Sequence, residues 1–542
     1  MTLRRGAFVA AAAALAVYAG SLRGGFVYDD FPIIVENPLV LSGTPAQFLG
    51  SAYWRRPGRE GGLYRPLTVA SYAVNARLTG LSAPAFRTVN ALLHAAVSAL
   101  AVFLAAALGL GAPAATLAGL AFAVLPVHAE AVAWSVGRAE VLAAGFALGA
   151  WLCLLGPLRP GRLAAGALLF LAALLAKESA AALPAAVAAA DLARREPPRE
   201  RAPAWAALAV VVGLYLFWRA QILGAAFSVG RPYFAGLGWP AVPLTMARFF
   251  WRGWVWGGST GLGLCADWSR PAFPDSTAGD LGGWTALLAL CAAAAWSVRR
   301  RWLGAIVFLV LAAPMSNLLA QMEIVGAERT MYLPSFGLCL LAAALWERLP
   351  AGRARAGAAA AVLLAWSGLT AARAKVWGSS QSLWEATAAC APGNPRTDAG
   401  LAMVRAGQNR REEARALLRR VLVAQPGHAA SAFNLALWDF EDGRPDAAEA
   451  ALGAFEAASP TGDARIAALR GRIAEEAGRL DEAVVHYRRA VALDPLYALA
   501  HRNLGLVLAR AGRLDGARAE LAAALRLDPN DSELREFLKT VP

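Results

Sequence analysis

Eleven predominantly apolar stretches recur along the first two thirds of the chain. They lie at roughly 5–22, 88–108, 112–128, 139–156, 162–176, 178–192, 203–221, 283–298, 302–319, 331–347 and 355–372. An α-helix needs about 20 residues to cross the hydrocarbon core of a bilayer, and fewer where the bilayer thins, so the pattern predicts a multi-spanning helical membrane domain. The first run follows Arg4 and Arg5 and reads as an uncleaved span, because the small-x-small cleavage pattern of a signal peptide is only approximated by Val17-Tyr18-Ala19. The stretch 241–257 is different. It sets Arg248 and Arg252 among Phe249, Phe250, Trp251, Trp254 and Trp256, and a central arginine costs about 2.5–3.5 kcal/mol on insertion. We read it as an interfacial helix lying flat, with its aromatic rings at headgroup level.

Beyond residue 375 the pattern becomes that of a soluble repeat. Prolines recur at Pro392, Pro426, Pro460, Pro495 and Pro529, spaced by 34, 34, 35 and 34 residues, with alanines in phase at Ala414, Ala448, Ala483 and Ala517. Gly443, Gly478 and Gly512 fall where the two helices of each unit should turn. A 34-residue period of paired helices, with small residues at the helix contact, is the tetratricopeptide (TPR) pattern. One such unit cannot bury its own apolar face, so neighbours stack and share a core. The expected fold is all-α: a helical membrane domain over 1–375 and a TPR α-solenoid over 376–542, whose concave face suits an extended peptide or a partner protein.

Composition agrees. Of the 542 residues, 58% are hydrophobic and only 17% are charged, against about 25% charged in ordinary soluble proteins. The formal net charge of +14 could suggest nucleic acid. In a membrane chain, however, basic residues mainly set orientation, because they stay on the cytoplasmic side during insertion. With the N-terminus inside, the inner turns carry Arg4/Arg5, Arg159/Arg162, Arg194/Arg195/Arg199/Arg201, Arg299/Arg300/Arg301 and Arg348/Arg353/Arg355. An odd number of spans then puts the repeat domain outside the cytoplasm, and no nucleic-acid partner is expected. The five cysteines show neither a CxxC pair nor metal-ligand spacing. Cys265 and Cys390 could meet as one disulfide, but unpaired thiols are the expectation.

Ionisable groups gather in the outer loops. The first, about 23–87, opens with Phe26-Val27-Tyr28-Asp29-Asp30 and later reads Tyr64-Arg65-Pro66-Leu67, followed by Arg87, Asn90 and His94. Adjacent acids at a membrane surface can serve as a general base, a metal site or a helix cap. An arginine beside the bilayer can pair with phosphate oxygens or can snorkel to headgroups. The second loop carries His128, Glu130, Arg138 and Glu140, and later turns carry Lys177-Glu178 and Glu328-Arg329 with Tyr332. Polar residues at membrane depth are expensive, and their repeated placement on one side is what an active site at the outer face needs.

The motifs FVYDD, YRPLT, VNALLH, PVHAEAVAWSVGRAE, AKES, DWS (267–269) and AERTMYLPSFG stand in this order between Phe26 and Gly337, ahead of the repeats. Together they resemble the transmembrane and TPR-containing protein O-mannosyltransferases, within the GT-C glycosyltransferase superfamily. The resemblance implies a polyprenyl-phosphate-linked sugar donor, a hydroxyl acceptor on a protein or glycan, and inversion at the anomeric carbon. Asp29 or Asp30 would be the general base, and His128 and Glu130 would orient acceptor or sugar. Arg138, Arg65 and Arg329, joined by Lys177, are electrostatic candidates for the departing phosphate; Glu178 and Tyr332 complete the substrate-binding set. A divalent cation is an open alternative with no ligand cluster to hold it, and mannose is one option among hexoses. The Ala- and Arg-rich composition points to a bacterial inner membrane. A non-catalytic membrane-anchored TPR scaffold for envelope proteins is the competing reading. A transporter fits less well, since the spans lack charge at mid-membrane.

Overall fold

A computed structural model describes residues 2–53, 55–56, 59–60, 62–224, 233–234, 236–269, 274–319, 324–528 and 531–540. Its regular structure is helical, apart from one pair of two-residue antiparallel strands, Arg55–Arg56 and Arg59–Glu60. Two compact units result: Met1–Trp54 with Gly61–Pro392, and Arg55–Glu60 with Gly393–Pro542.

In the first unit, six helices among the described residues are long and apolar enough to cross a membrane: Leu3–Ser21, Ala83–Ala107, Ser135–Leu154, Pro198–Leu223, Leu281–Arg300 and Arg353–Val376. A seventh candidate is a bent pair, Ala112–Val124 with Pro126–Ala133, broken by 48°. The break falls where Leu125 is extended (φ −68°, ψ 125°), because Pro126 lacks an N–H and drives the preceding residue out of the helical region. The other apolar runs form shorter helices, Pro160–Ala176, Leu183–Ala193, Leu303–Ala312 and Ser335–Arg348. Six or seven helices of spanning length therefore stand where eleven runs are read from sequence. The run 162–176 falls within a single helix of 17 residues, and others give up part of their length to tight turns, such as the 3-10 turns Glu178–Ala182 and Glu328–Met331.

Burial separates these helices by role. Ala83–Ala107 and Ser135–Leu154 form the centre, where Ala91, Ala101, Ala144 and Ala147 are enclosed and small side chains let backbones approach closely. Pro198–Leu223, Leu281–Arg300 and Arg353–Val376 instead present Phe217 (64% exposed), Leu288 (67%) and Leu364 (73%) outward. Such apolar faces suit hydrocarbon rather than water.

The stretch 241–257 departs from the expected surface helix. It forms a helix, Ala241–Phe249, that widens into a π-helical segment, Phe250–Gly257. Phe249, Phe250 and Trp254 are buried within the protein, and of the aromatic rings only Trp256 is well exposed, at 58%; Arg252 is exposed as well. Arg248 donates to Asp280 Oδ2 at 3.0 Å and the Trp251 indole donates to the Ala286 carbonyl at 2.9 Å. Internal partners, not lipid headgroups, take up most of these side chains.

Cys265 and Cys390 are joined in a disulfide across 125 residues, so the expected unpaired thiols are found only at Cys153, Cys291 and Cys339. The bond fastens the helix Ser380–Cys390 to the membrane-helix unit, and Trp384 of that helix packs edge-on against Tyr28. The compact units divide after Pro392.

The second unit is a helical-repeat solenoid. Its helix pairs are Pro395–Gly407 with Arg411–Ala424, Ala429–Glu441 with Pro445–Ala458, Ala464–Glu476 with Leu480–Leu493, and Ala498–Arg510 with Leu514–Leu527. The in-phase Ala414, Ala448, Ala483 and Ala517 are fully buried where the paired helices touch. Gly443, Gly478 and Gly512 turn between helices with φ near +71° to +75°, a region that costs L-residues energy but not glycine. In the first pair Asn409 (φ 60°) occupies the equivalent turn, asparagine being the side chain that best tolerates this conformation. Pro529 of the repeat series lies outside the described residues.

Candidate functional site

The first loop leaves its helix through Phe26–Asp30, and the two acids part company there. Asp30 is fully buried. Its Oδ2 accepts from the Val27 amide at 2.9 Å and its Oδ1 from the Val136 amide at 3.0 Å. One carboxyl thus ties the first loop to the second, which lies more than a hundred residues away in sequence. Burial pushes the Asp30 carboxyl up to about 7, although the two amides and Arg87 favour the charged form. Asp29 is only half-buried, and its charge is felt by Asp30, by Tyr53 and by Arg329. Tyr28, before it, adopts φ 51° and stacks 6.1 Å from Trp134, which itself stacks 5.2 Å from Trp377.

In the second loop and its surroundings, three predicted site residues prove to be internal fastenings. His128 is fully enclosed, with Nδ1 2.8 Å from the Phe122 carbonyl and Nε2 2.7 Å from Ser335 Oγ; neither nitrogen remains to orient a substrate. Arg138 is buried between the rings of Tyr72 and Phe86. It makes four hydrogen bonds, to Asn90 Oδ1 (2.8 Å), the Ser71 carbonyl (3.1 Å), Asn75 Oδ1 (2.6 Å) and the Phe86 carbonyl (3.0 Å). A guanidinium committed in this way does not reach a phosphate. Tyr332 is also enclosed, its hydroxyl 2.6 Å from His94 Nδ1. Arg87, the remaining cation of that group, donates to the carbonyls of Ser21, Gly25 and Trp377. These groups satisfy one another inside the protein, as buried polar groups must.

The other predicted residues come together as ion pairs between segments distant in sequence. Arg65 makes a two-pronged contact with Glu178 (2.9 and 2.7 Å) and lies 5.0 Å over the Tyr53 ring. Lys177 pairs with Glu140, both nearly enclosed. Burial holds the Lys177 ammonium below its usual range although Glu140 opposes the shift. Glu130 is fully buried and accepts from both the backbone amide (2.8 Å) and the side chain of Arg329. Next to it, Arg373 grips Glu328 at 3.2 and 2.5 Å, and burial raises the Glu328 carboxyl to about 7. Lys177 feels the charges of Arg65 and Arg329, and Glu140 acts on both arginines. Asp29, Arg65, Glu130, Glu140, Lys177, Glu178 and Arg329 therefore form one electrostatic group.

Within it Arg329 is the most open cation. Its side chain is 27% exposed, against 12% for Arg65 and 9% for Lys177. Only its Nη1 and backbone amide bond to Glu130, its guanidinium lies 5.3 Å over the Trp134 ring, and Nε and Nη2 donate to no group among the described residues. An acid with partial access beside a cation with unused donors is an arrangement that can take a proton at one point and hold an anion at the next. Among the described residues no group of three His, Cys, Asp or Glu is placed to hold a metal ion. The candidate set read from sequence leaves out Glu140, Arg373, Tyr53 and Trp134. Glu140 stands within a quoted motif, but Arg373 and Tyr53 carry no local signal: Arg373 meets Glu328 from 45 residues away, and Tyr53 meets Arg65 only once the loop has folded.

The fold and this group define a class: an integral helical membrane domain followed by a TPR-like α-solenoid. The tetratricopeptide repeat model matches residues 400–463, 439–495 and 468–532. The human protein O-mannosyl-transferase TMTC1 is 29% identical over 505 residues, covering 80% of this chain and 57% of that protein. The fruit-fly Tmtc2 protein is 40% identical over 181 residues, covering 31% of this chain and 19% of its own. The chain spans somewhat more than half the length of the curated TMTC1 relatives it matches, 57% in human and 58% in mouse. Among solved structures, a thermophilic TPR protein of Thermus thermophilus is 22% identical, covering 30% of this chain and 87% of that one at a TM-score of 0.26. The TPR protein YrrB is 20% identical, covering 31% and 82% at a TM-score of 0.24. This chain is thus a TPR-repeat protein distantly related to the TMTC family of O-mannosyltransferase-like proteins.

Proposed function

We propose that the chain is a GT-C type inverting glycosyltransferase. It moves mannose or another hexose from a polyprenyl-phosphate donor to a hydroxyl of a protein or envelope-glycan acceptor, which the TPR domain recruits. The observation that carries this reading is that half-buried Asp29 lies within electrostatic reach of Arg329, whose Nε and Nη2 donate to no group among the described residues. Asp29 takes the hydroxyl proton as the acceptor oxygen attacks the anomeric carbon. The bond from that carbon to the phosphate oxygen breaks, and polyprenyl phosphate departs with the electron pair. Arg329 stabilises the growing phosphate charge, with Arg65 and Lys177 setting the field around it. Asp30, His128, Arg138 and Tyr332 act as positioning residues, and Glu130 and Glu178 hold the arginines.

The reaction is placed on the extracytoplasmic side of a bacterial inner membrane, in a bundle of about eleven membrane segments once the shorter helices are counted. The Cys265–Cys390 bond supports that placement, since disulfides persist in oxidising compartments. One observation favours a non-catalytic TPR scaffold instead: Arg65, Lys177, Arg329 and Arg373 each already hold a carboxylate, as a degenerate core would.

The test supplies membranes containing the chain with labelled polyprenyl-phosphate hexoses, while the envelope glycans of a deletion strain are compared with those of its parent. Label transfer together with a missing glycan is expected. No transfer with any hexose and unchanged glycans would leave only the scaffold. In sealed right-side-out vesicles, added protease should digest the TPR domain; a protected domain refutes the topology.

A further inference from the structure

On the side of the bundle that the arginine pattern assigns to the cytoplasm, three inner turns meet around a cavity of about 170 Å³. This is well above the roughly 10–15 Å³ that a single water centre requires. Its walls are apolar, formed by Leu108, Leu303, Leu340, Leu341 and Leu345 among others, and its charged lining is Arg301 and Arg348.

The local sequence explains the shape. Arg301 ends the Leu281–Arg300 helix in the left-handed region (φ 53°), so the chain reverses at once into Leu303–Ala312. That helix crosses Ser335–Arg348 at Gly304 and Gly337. A Cβ on Gly304 would collide with the Leu341 amide, and one on Gly337 with the Phe308 amide. The backbones touch there, and Gly304 itself lines the cavity beside Leu303, Leu340, Leu341 and Leu345.

Charge at the mouth is unbalanced. The stretches 299–303 and 346–355 contain six arginines and one glutamate, Glu347, and Glu347 accepts from the Gly111 amide at 3.0 Å. Arg355 is occupied by the Leu349 carbonyl at 2.7 Å and by the Trp346 ring. Arg301 has only long contacts, 3.4 Å, to the Leu192 and Ala193 carbonyls, and Arg348 leans over the Trp302 ring. Neither pairs with a carboxylate among the described residues. Two uncompensated guanidinium groups over an apolar floor, at the rim of a helical membrane bundle, match a molecule with an anionic phosphate diester at one end and hydrocarbon at the other.

We propose that this rim cavity binds an anionic phospholipid, its phosphate between Arg301 and Arg348 and its acyl chain along Leu340–Leu345. The site uses none of the residues assigned to sugar transfer and stands whether or not that assignment holds.

The test uses the full chain, purified and delipidated in detergent, with native mass spectrometry after addition of phosphatidylglycerol or phosphatidylcholine. Phosphatidylglycerol adducts should dominate. The double variant Arg301→Gln/Arg348→Gln should lose that preference roughly 30-fold, the combined effect of two basic side chains at a membrane surface. Arg299→Gln/Arg300→Gln removes the same charge from the neighbouring helical turn and should keep the preference. Size-exclusion profiles of the variants check that they remain folded. Equal retention of both lipids overturns the proposal, as does an equal loss in the two double variants, which would mean bulk charge alone. Displacement of the lipid by inorganic phosphate also overturns it, in favour of a free-anion site.

Discussion

Asp29 and Asp30 are neighbours in sequence but differ in burial and partners, so replacing each in turn tests the proposed chemistry separately from the scaffolding. Asp30→Ala deletes both acceptors for the Val27 and Val136 amides, 2.9 and 3.0 Å away in an enclosed site. A buried donor left unpaired costs about 1–3 kcal/mol, so the pair costs ~2–6 kcal/mol, a large part of the 5–15 kcal/mol typical of a folded domain. Asp29→Asn removes the charge from a half-buried position while keeping size and shape. Loss of a general base lowers a rate by roughly 10²–10⁴-fold with little effect on folding. Two assays on detergent-purified protein distinguish the variants: thermal unfolding by intrinsic fluorescence, and transfer from labelled polyprenyl-phosphate hexose normalised to folded protein. Asp30→Ala should lower the melting temperature strongly, and Asp29→Asn should unfold as wild type does yet transfer almost no sugar. A wild-type rate in Asp29→Asn removes it as the base. An unchanged melting temperature in Asp30→Ala would falsify the two-loop clamp.

Three further outcomes are expected. Burial lifts Asp30 from its ordinary 3.8 to about 7, so between these values the folded protein holds a proton that the unfolded chain has released. Its stabilisation is complete below about pH 4 and is lost as the pH rises through about 7; Asp30→Asn, lacking this titration, should give a flatter plot of melting temperature against pH, and a profile parallel to wild type contradicts the assignment. Arg138→Lys cannot reproduce a guanidinium with four hydrogen bonds between two rings. It should cost ~2–4 kcal/mol of stability and leave the donor KM of the folded fraction unchanged; a raised KM with normal stability would return Arg138 to the phosphate site. Cys265→Ser/Cys390→Ser opens a 125-residue separation and should lower stability by ~2–4 kcal/mol, while peptide mapping of the native protein without reductant should find the two cysteines linked.

Much of this molecule was legible locally. The repeat period, the buried in-phase alanines and the glycine turns follow from one 34-residue pattern, because a TPR unit is built from contacts close in sequence. The membrane runs were visible for the same reason, although hydropathy could not distinguish a spanning helix from two short ones joined by a tight turn. Pro126 and the 3-10 turns at Glu178 and Glu328 make that distinction in the structure.

Residue types and their order determined, by themselves, that ionisable groups would line one set of loops between apolar helices and that a helical solenoid would follow. Only the tertiary structure decided which of those groups face one another. Arg138 and Arg329 look alike in sequence, but one is enclosed by Asn75, Asn90 and two aromatic rings, and the other has two nitrogens that donate to no group among the described residues. Likewise Asp30 became a clamp because Val136 arrives beside it from more than a hundred residues away, and Cys265 found Cys390. The physical reason is that burial and hydrogen-bond partners fix what a charged side chain can do, and both are set by segments that meet only when the chain has folded.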